Sequence, residues 1–204
     1  MIMNKSIEQQ VKSPDYTLTL PSKTIDDADP QAREVLEQTK AKMGMIPNMY
    51  GVMANSPAML KTYAQGYALF RENSGFTPVE QEIIFLTISR ENECQYCMAA
   101  HSFVADNFSK VPIEVTDSIR NDAPIADKKM AELSEFTRTM LVSRGHPSQD
   151  DVFAFVQAGY SETHILDIIL AISVKTISNY ANHVFNTPVD AAFRARSWRV
   201  LAAD

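Results

Sequence analysis

Apolar residues along the chain recur at the three-and-four spacing of helices rather than in the alternation of strands. Asp29-Pro30 is a helix start, with Asp as cap and Pro in the first turn. Val35, Leu36 and Met43 carry that helix to Gly44. Met45-Ile46-Pro47-Asn48 reads as a loop. Ser56-Pro57 opens a second helix with Leu60, Tyr63, Tyr67 and Phe70 on one face, ending near Gly75. Thr77-Pro78-Val79-Glu80 is a capping box. The helix behind it holds Ile83, Ile84, Leu86, Thr87 and Ile88, dense enough for burial on more than one face. The polar run Arg90-Glu91-Asn92-Glu93 interrupts the pattern, and a further helix is predicted from about Cys94 to Phe108. Pro112 restarts a short helix. Pro124 to Arg144 reads as a long amphipathic one, Ser148 to Ala158 as a short one, and Ser161-Glu162 opens a helix with Ile165, Leu166, Ile168, Ile169, Leu170 and Ile172. Trp198 is expected to anchor the last segment.

No alternating strand and no hairpin turn stands out, so the expected class is all-α. Residues 1–28, broken by Pro14 and Pro21, read as an N-terminal arm, and 29–204 as one helical domain. Thr77, Ile84, Leu86 and Ser89 recur in order as Ser161, Ile168, Leu170 and Ser173, a faint internal duplication. In that alignment Cys94 falls on Ser178 and Cys97 on Ala181.

The net charge of −6, from 19 basic and 25 acidic residues, gives no general attraction for nucleic acid or an anionic membrane. Apolar runs such as 168–172 are far shorter than the roughly 20 residues of a membrane span. Met1 to Ser13 is polar and carries no apolar signal core. A cytoplasmic protein is the expectation.

The chain has two cysteines, Cys94 and Cys97, three apart. Side chains so spaced on a helix are neighbours, roughly 5–6 Å between Cβ atoms. A small adjustment would reach the roughly 3.5–4.5 Å that a disulfide needs. His101 lies one turn beyond Cys97 and could take its proton, raising the thiolate fraction of a group whose ordinary pKa is about 8.5. Three readings follow: a redox dithiol, part of a metal site, or packing. Two Cys and one His are three ligands where a closed structural zinc site needs four. His146 reads as solvated and His164 as exposed, His183 beside Asn182 is weighed as a pocket-lining residue, and the N-terminal methionines are read as core or interface packing.

Glu82, Cys94, Cys97 and His101, spaced Glu-x11-Cys-x2-Cys-x3-His within Thr77-Pro78-Val79-Glu80 to His101, resemble the alkylhydroperoxidase D-like branch of the carboxymuconolactone decarboxylase family. Ile46-Pro47-Asn48 followed by Ser56-Pro57 adds to the likeness, which covers roughly residues 40 to 195. The resemblance implies a compact all-α helical bundle that assembles as trimers or hexamers. It implies reduction of hydroperoxides by a dithiol, without organic cofactor or metal, using an external dithiol or protein reductant. It makes Cys97 the thiol attacked by peroxide, Cys94 the resolving thiol, and Glu82 with His101 a proton relay. Tyr96 stands where the well-studied alkylhydroperoxidase D type has His. With a pKa near 10, Tyr is no base at neutral pH, though its hydroxyl can donate a hydrogen bond in a pocket. Alternatives are a disulfide reductase, a non-enzymatic redox sensor, or a lactone decarboxylase, whose relatives generally lack the cysteine pair.

The relay makes a structural demand. Glu82 and His101 are 19 positions apart, which in one straight helix is about 28 Å. The chain must therefore reverse at Arg90-Glu91-Asn92-Glu93.

Overall fold

The computed structural model describes residues 16–199. The expected arm falls partly outside them, as does the polar stretch at Met1 to Ser13. Residues 16–24 run without regular structure, held by Leu18 N–H to the Val184 carbonyl (2.7 Å) and Lys23 N–H to the Gly51 carbonyl (2.9 Å).

The helices begin where local chemistry marks them. In α1 (Pro30–Met43) the Asp29 side chain accepts from the Gln31 amide, and Gly44 closes it at φ 74°. Met45 to Asn48 was expected to be loop throughout, but a short helix, α2 (Asn48–Met53), begins at Asn48. The reason is tertiary. Both carboxylate oxygens of Asp190, from the far end of the chain, accept from the Asn48 amide at 3.2 Å. α3 (Pro57–Asn73) and α4 (Pro78–Glu91) follow the predicted starts, and Thr77 and Glu80 form the reciprocal capping box. After the corner come α5 (Gln95–Val104) and a π-helical turn, Ala105–Ser109. α6 spans Ile113–Asn121.

The helix expected from Pro124 is shorter. α7 runs Lys128–Val142 because Asp127 caps it, accepting from the Met130 amide at 2.9 Å. α8 (Gln149–Gln157) starts at the Ser148 capping box, and α9 (Glu162–Phe185) is the longest helix described. A 3-10 turn, Ala191–Arg196, follows. Trp198 does anchor the end, donating to the Arg120 carbonyl at 2.8 Å. No strand occurs among the described residues.

The four residues matched between the α4 and α9 regions do not mark the same local structure. α4 stops and the chain folds back into α5, whereas α9 runs on unbroken past Ser178 and Ala181.

Two buried clusters share the interior. One gathers α4, α6, α7, α8 and the first half of α9 around Phe85, Leu133, Phe136 and Phe155. The other gathers α1, α2, α3, α5 and the second half of α9 around Leu36, Leu60, Tyr63, Cys97 and Phe193. Tyr67 and Leu170 pack against both. Gly66 lets α3 approach α9 closely, since a Cβ there would meet Val174 Cγ2 at 2.9 Å. α9 exposes Leu166, Ile169, Tyr180 and Val184 on its outer face. No described helix is long and apolar enough to cross a membrane.

The reversal demanded by the relay is made by four residues. Glu93 N–H bonds the Arg90 carbonyl (2.8 Å) and Cys94 N–H bonds the Ser89 carbonyl (2.9 Å). This is the double closure of a Schellman motif. It puts Glu93 in the left-handed region, φ 54°, where glycine is usual. A side chain there costs about 1–2 kcal/mol. Glu93→Gly should therefore raise stability, and the β-branched Glu93→Val lower it, each by about 1 kcal/mol. Denaturant melts of the three proteins check this; identical midpoints would mean the corner carries no strain.

Candidate active site

The antiparallel crossing of α4 and α5 brings Glu82 and His101 together. His101 Nδ1 lies 2.8 Å from Glu82 Oε2. Glu82 is fully buried and His101 nearly so. The other carboxylate oxygen of Glu82 accepts from Arg71 Nη2 on α3. Arg71 is steadied in turn by the Tyr67 hydroxyl (2.8 Å) and the Gln81 side-chain oxygen (3.1 Å). Gln81 is locked by the carbonyls of Arg71 and Phe76.

A carboxylate can only accept, so His101 donates through Nδ1–H and keeps Nε2 as its free lone pair. Burial alone would push the Glu82 carboxyl up, but His101 and Arg71 outweigh it and hold it below its usual range. Burial, helped by the nearby Lys175 cation, pulls His101 below its ordinary value against the attraction of Glu82. The imidazole is then neutral at neutral pH and fit to act as a base.

Both cysteines are buried free thiols. Cys94 is the N-cap of α5 and Cys97 lies in its first turn, where a helix N-terminus favours a thiolate. Asn182 Nδ2, on α9, lies 3.3 Å from Cys97 Sγ and 3.9 Å from Cys94 Sγ. Ser178 Oγ is 3.9 Å from Cys97 Sγ. Burial opposes ionisation of Cys97, but the hydrogen bond from the Cys94 thiol and the charge of Lys175 hold its pKa well below the ordinary thiol value. Cys94 moves the other way, chiefly because it is the donor to Cys97 and is itself buried. The pair is polarised, with Cys97 the thiolate and Cys94 the proton holder.

Lys175 is the site residue that the sequence reading missed. It is fully buried, and its ammonium has no hydrogen-bond partner among the described residues. Nζ sits 5.5 Å from the Phe85 ring centroid, a cation–π contact that offsets part of the desolvation. Glu82 already balances Arg71, so the remaining buried positive charge has the Cys97 thiolate as its counter-ion. A signal was present. Lys175 is the one Lys or Arg in α9, and Ile168, Ala171, Ser178 and Asn182, which share its face at helical spacing, are all buried. The inward face of α9 thus turns from apolar to polar beside the thiols.

Cys97 and His101 open on a small apolar cavity of about 80 Å³, walled by Met49, Tyr50, Tyr63 and Tyr67. Tyr96 is buried between helices, its hydroxyl bonded to Asp190 and accepting from the Met49 amide at 3.4 Å. Burial first, then the Asp190 carboxylate, drives its pKa up, which makes it a tether rather than a base. His146 is exposed. His164, expected to be exposed, is instead half-buried, because its ring packs on Phe76 (4.7 Å) and bonds Ser161. His183 lines a cleft with Cys94. Among the described residues no three His, Cys, Asp or Glu side chains are grouped to hold a metal ion.

The sequence pattern of the carboxymuconolactone decarboxylase family matches residues 57–137, a stretch that contains Arg71, Glu82, both cysteines and His101. Over this segment the chain is similar to that family. Several solved structures share the fold that the carboxymuconolactone decarboxylase segment builds. One is an alkylhydroperoxidase AhpD core, an uncharacterized peroxidase-related protein from Ralstonia eutropha JMP134. It has a TM-score of 0.75 at 20% identity, over 85% of this chain and 93% of that one. A peroxidase-related protein from Silicibacter sp. TM1040 gives 0.72 at 20%, over 92% and 98%. The debrominase Bmp8, as a cysteine-to-alanine variant in complex with 2,3,4-tribromopyrrole, gives 0.71 at 18%, over 89% and 97%. No curated protein matches the sequence.

Lys175 makes a sharp prediction. A nearby cation favours a thiolate and disfavours a protonated imidazole, so its removal should raise the pKa of both Cys97 and His101. Lys175→Met is expected to move the thiolate titration, followed by ultraviolet absorbance, toward alkaline pH. Lys175→Arg should keep most of the wild-type curve. Superimposable wild-type and Lys175→Met curves would remove Lys175 from the site.

Proposed function

We propose that this chain is a dithiol peroxidase that reduces hydroperoxides through Cys97 and Cys94. The observation that carries the reading is the Glu82–His101 pair, a neutral base of fixed tautomer facing the same cavity as a thiol whose thiolate is favoured. Cys97 S⁻ attacks the terminal peroxide oxygen, the O–O bond breaks, and Cys97 becomes a sulfenic acid. The alkoxide or hydroxide that leaves takes up a proton. The buried Lys175 cation offsets the charge as it passes from sulfur to oxygen. The Cys94 thiol then condenses with the sulfenic acid, its proton leaving with the hydroxyl as water, and the disulfide forms. A dithiol outside the chain supplies the two electrons that restore the pair. The peroxidase-related fold neighbours support this reading.

The cavity wall favours one second reading. Four tyrosines and two methionines around the cavity suit a flat, polarisable ring, and the neighbouring debrominase was captured with a bromopyrrole. In that case an aryl bromide and two thiols would give the debrominated ring, bromide, a proton and the disulfide.

Thiol titration before and after one equivalent of cumene hydroperoxide or of a bromopyrrole separates the two. Loss of two thiols per chain with peroxide alone is the expected result; loss with the bromopyrrole alone would select the second reading. Cys97→Ser should abolish turnover, and Cys94→Ser should stop after one event with a sulfenic acid trappable at Cys97. Labelling of Cys94 in a Cys97→Ser protein that still turns over would reverse the two roles. Glu82→Gln should lower turnover by about 10²–10⁴, the range typical of general acid–base groups. The acid limb of the wild-type rate profile should fall below the ordinary His value of about 6.5, because a depressed His101 pKa keeps the base neutral further into acid.

A further inference from the structure

The two thiols lie three residues apart, yet they face different spaces. Cys97 lines the apolar cavity of about 80 Å³, and Cys94 does not. Cys94, itself wholly buried, borders a separate cleft of about 900 Å³ with Asn92, Asn182, His183, Thr187 and Val189, and Cys97 is absent from that lining. Tyr96 borders both and forms the shared wall, fixed by its hydroxyl bond to Asp190. Resting on the peroxidase reading, we propose that the site has two doors. The oxidant reaches Cys97 through the tyrosine-lined cavity, and a small dithiol reductant reaches Cys94 through the polar cleft.

Three observations point the same way. The large cleft, about 900 Å³, has the size of a small-molecule site, where roughly 300–1,000 Å³ is usual. Two residues that border the cleft also carry side-chain oxygens without a partner. Asn182 Oδ1 and Thr187 Oγ1 have no hydrogen-bond partner among the described residues, although Asn182 and Thr187 are 4% and 8% exposed. Finally, the chemistry of exchange depends on which sulfur leaves, and the thiol with the lower pKa leaves faster. Lys175, Asn182 and the α5 N-terminus all stabilise Cys97 as the departing thiolate.

The steps balance. A reductant thiolate attacks Cys94 Sγ, the Cys94–Cys97 bond breaks, and Cys97 leaves as the thiolate. The second reductant thiol attacks the mixed disulfide, the reductant departs as its cyclic disulfide, and Cys94 leaves and takes a proton. Two electrons pass from the reductant to the protein.

The test makes the disulfide without peroxide. The reduced full chain is oxidised with diamide, mixed briefly with dithiothreitol, quenched in acid, alkylated and fragmented. The reductant adduct is expected on Cys94 and the alkyl label on Cys97; the adduct on Cys97 would overturn the proposal. A second measurement covers the case in which the adduct escapes trapping. His183→Trp, which crowds the cleft from the exposed side of α9, should slow dithiothreitol reduction of the diamide-made disulfide several-fold. It should leave the rate of thiol loss to cumene hydroperoxide as in the wild type. Unchanged reduction together with slowed peroxide oxidation would overturn it as well. A protein that consumes no peroxide but still takes the adduct on Cys94 would defeat the peroxidase reading and leave the polar door standing.

Discussion

A fully buried carboxylate is the constraint on which the site depends. Removing a charge from water costs several kcal/mol even after relaxation, unless partners repay it. Glu82 finds one partner on α3, Arg71, and one on α5, His101. Neither is on its own helix, so satisfying this group requires the α3–α4 approach and the α4–α5 reversal together. The Schellman corner at Asn92-Glu93 achieves the reversal and in the same stroke places Cys94 at the cap of α5 and Cys97 in its first turn. The geometry of the thiols and that of the base are therefore consequences of one corner.

The charges are arranged unequally around that carboxylate. Arg71 is satisfied by Glu82, Tyr67 and Gln81, and Phe85 lies beneath it at 4.8 Å. Lys175 Nζ lies 5.5 Å from the centroid of the same ring and has no hydrogen-bond partner among the described residues. The hydrogen bond from Cys94 to Cys97, joined by the charge of Lys175, polarises the dithiol. Together they lower Cys97 and leave the proton on Cys94, and burial with Lys175 keeps His101 neutral. A symmetric C-x-x-C in water would have none of this bias, because both thiols would titrate alike.

Much of the fold was legible locally because its signals are local. Asp29-Pro30, Thr77 to Glu80 and Ser148 to Asp151 start their helices through bonds made within three residues. The misreadings have causes at a distance or in competition. Asn48 starts a helix because Asp190 caps it across the molecule, and the α7 start shifts because Asp127 caps better than Pro124. The matched residues of the α4 and α9 regions share an apolar pattern, and that pattern cannot say whether a helix runs on or turns back. Tyr96 was legible as a non-base, but its tether to Asp190 was not.

The sequence by itself determined the helical class, the capping signals, the Cys94–Cys97–His101 face of one helix, and the demand for a reversal after Glu82. Those follow from spacing along a single helix and from bonds that close within a turn. Only the tertiary structure decided that Lys175, Asn182 and Ser178, from a helix more than seventy residues further on, supply the electrostatics of the thiols. It alone decided that the two sulfurs face different spaces. The reason is that a charge acts through space on whatever packing brings near, and linear spacing carries no record of which faces of distant helices will meet.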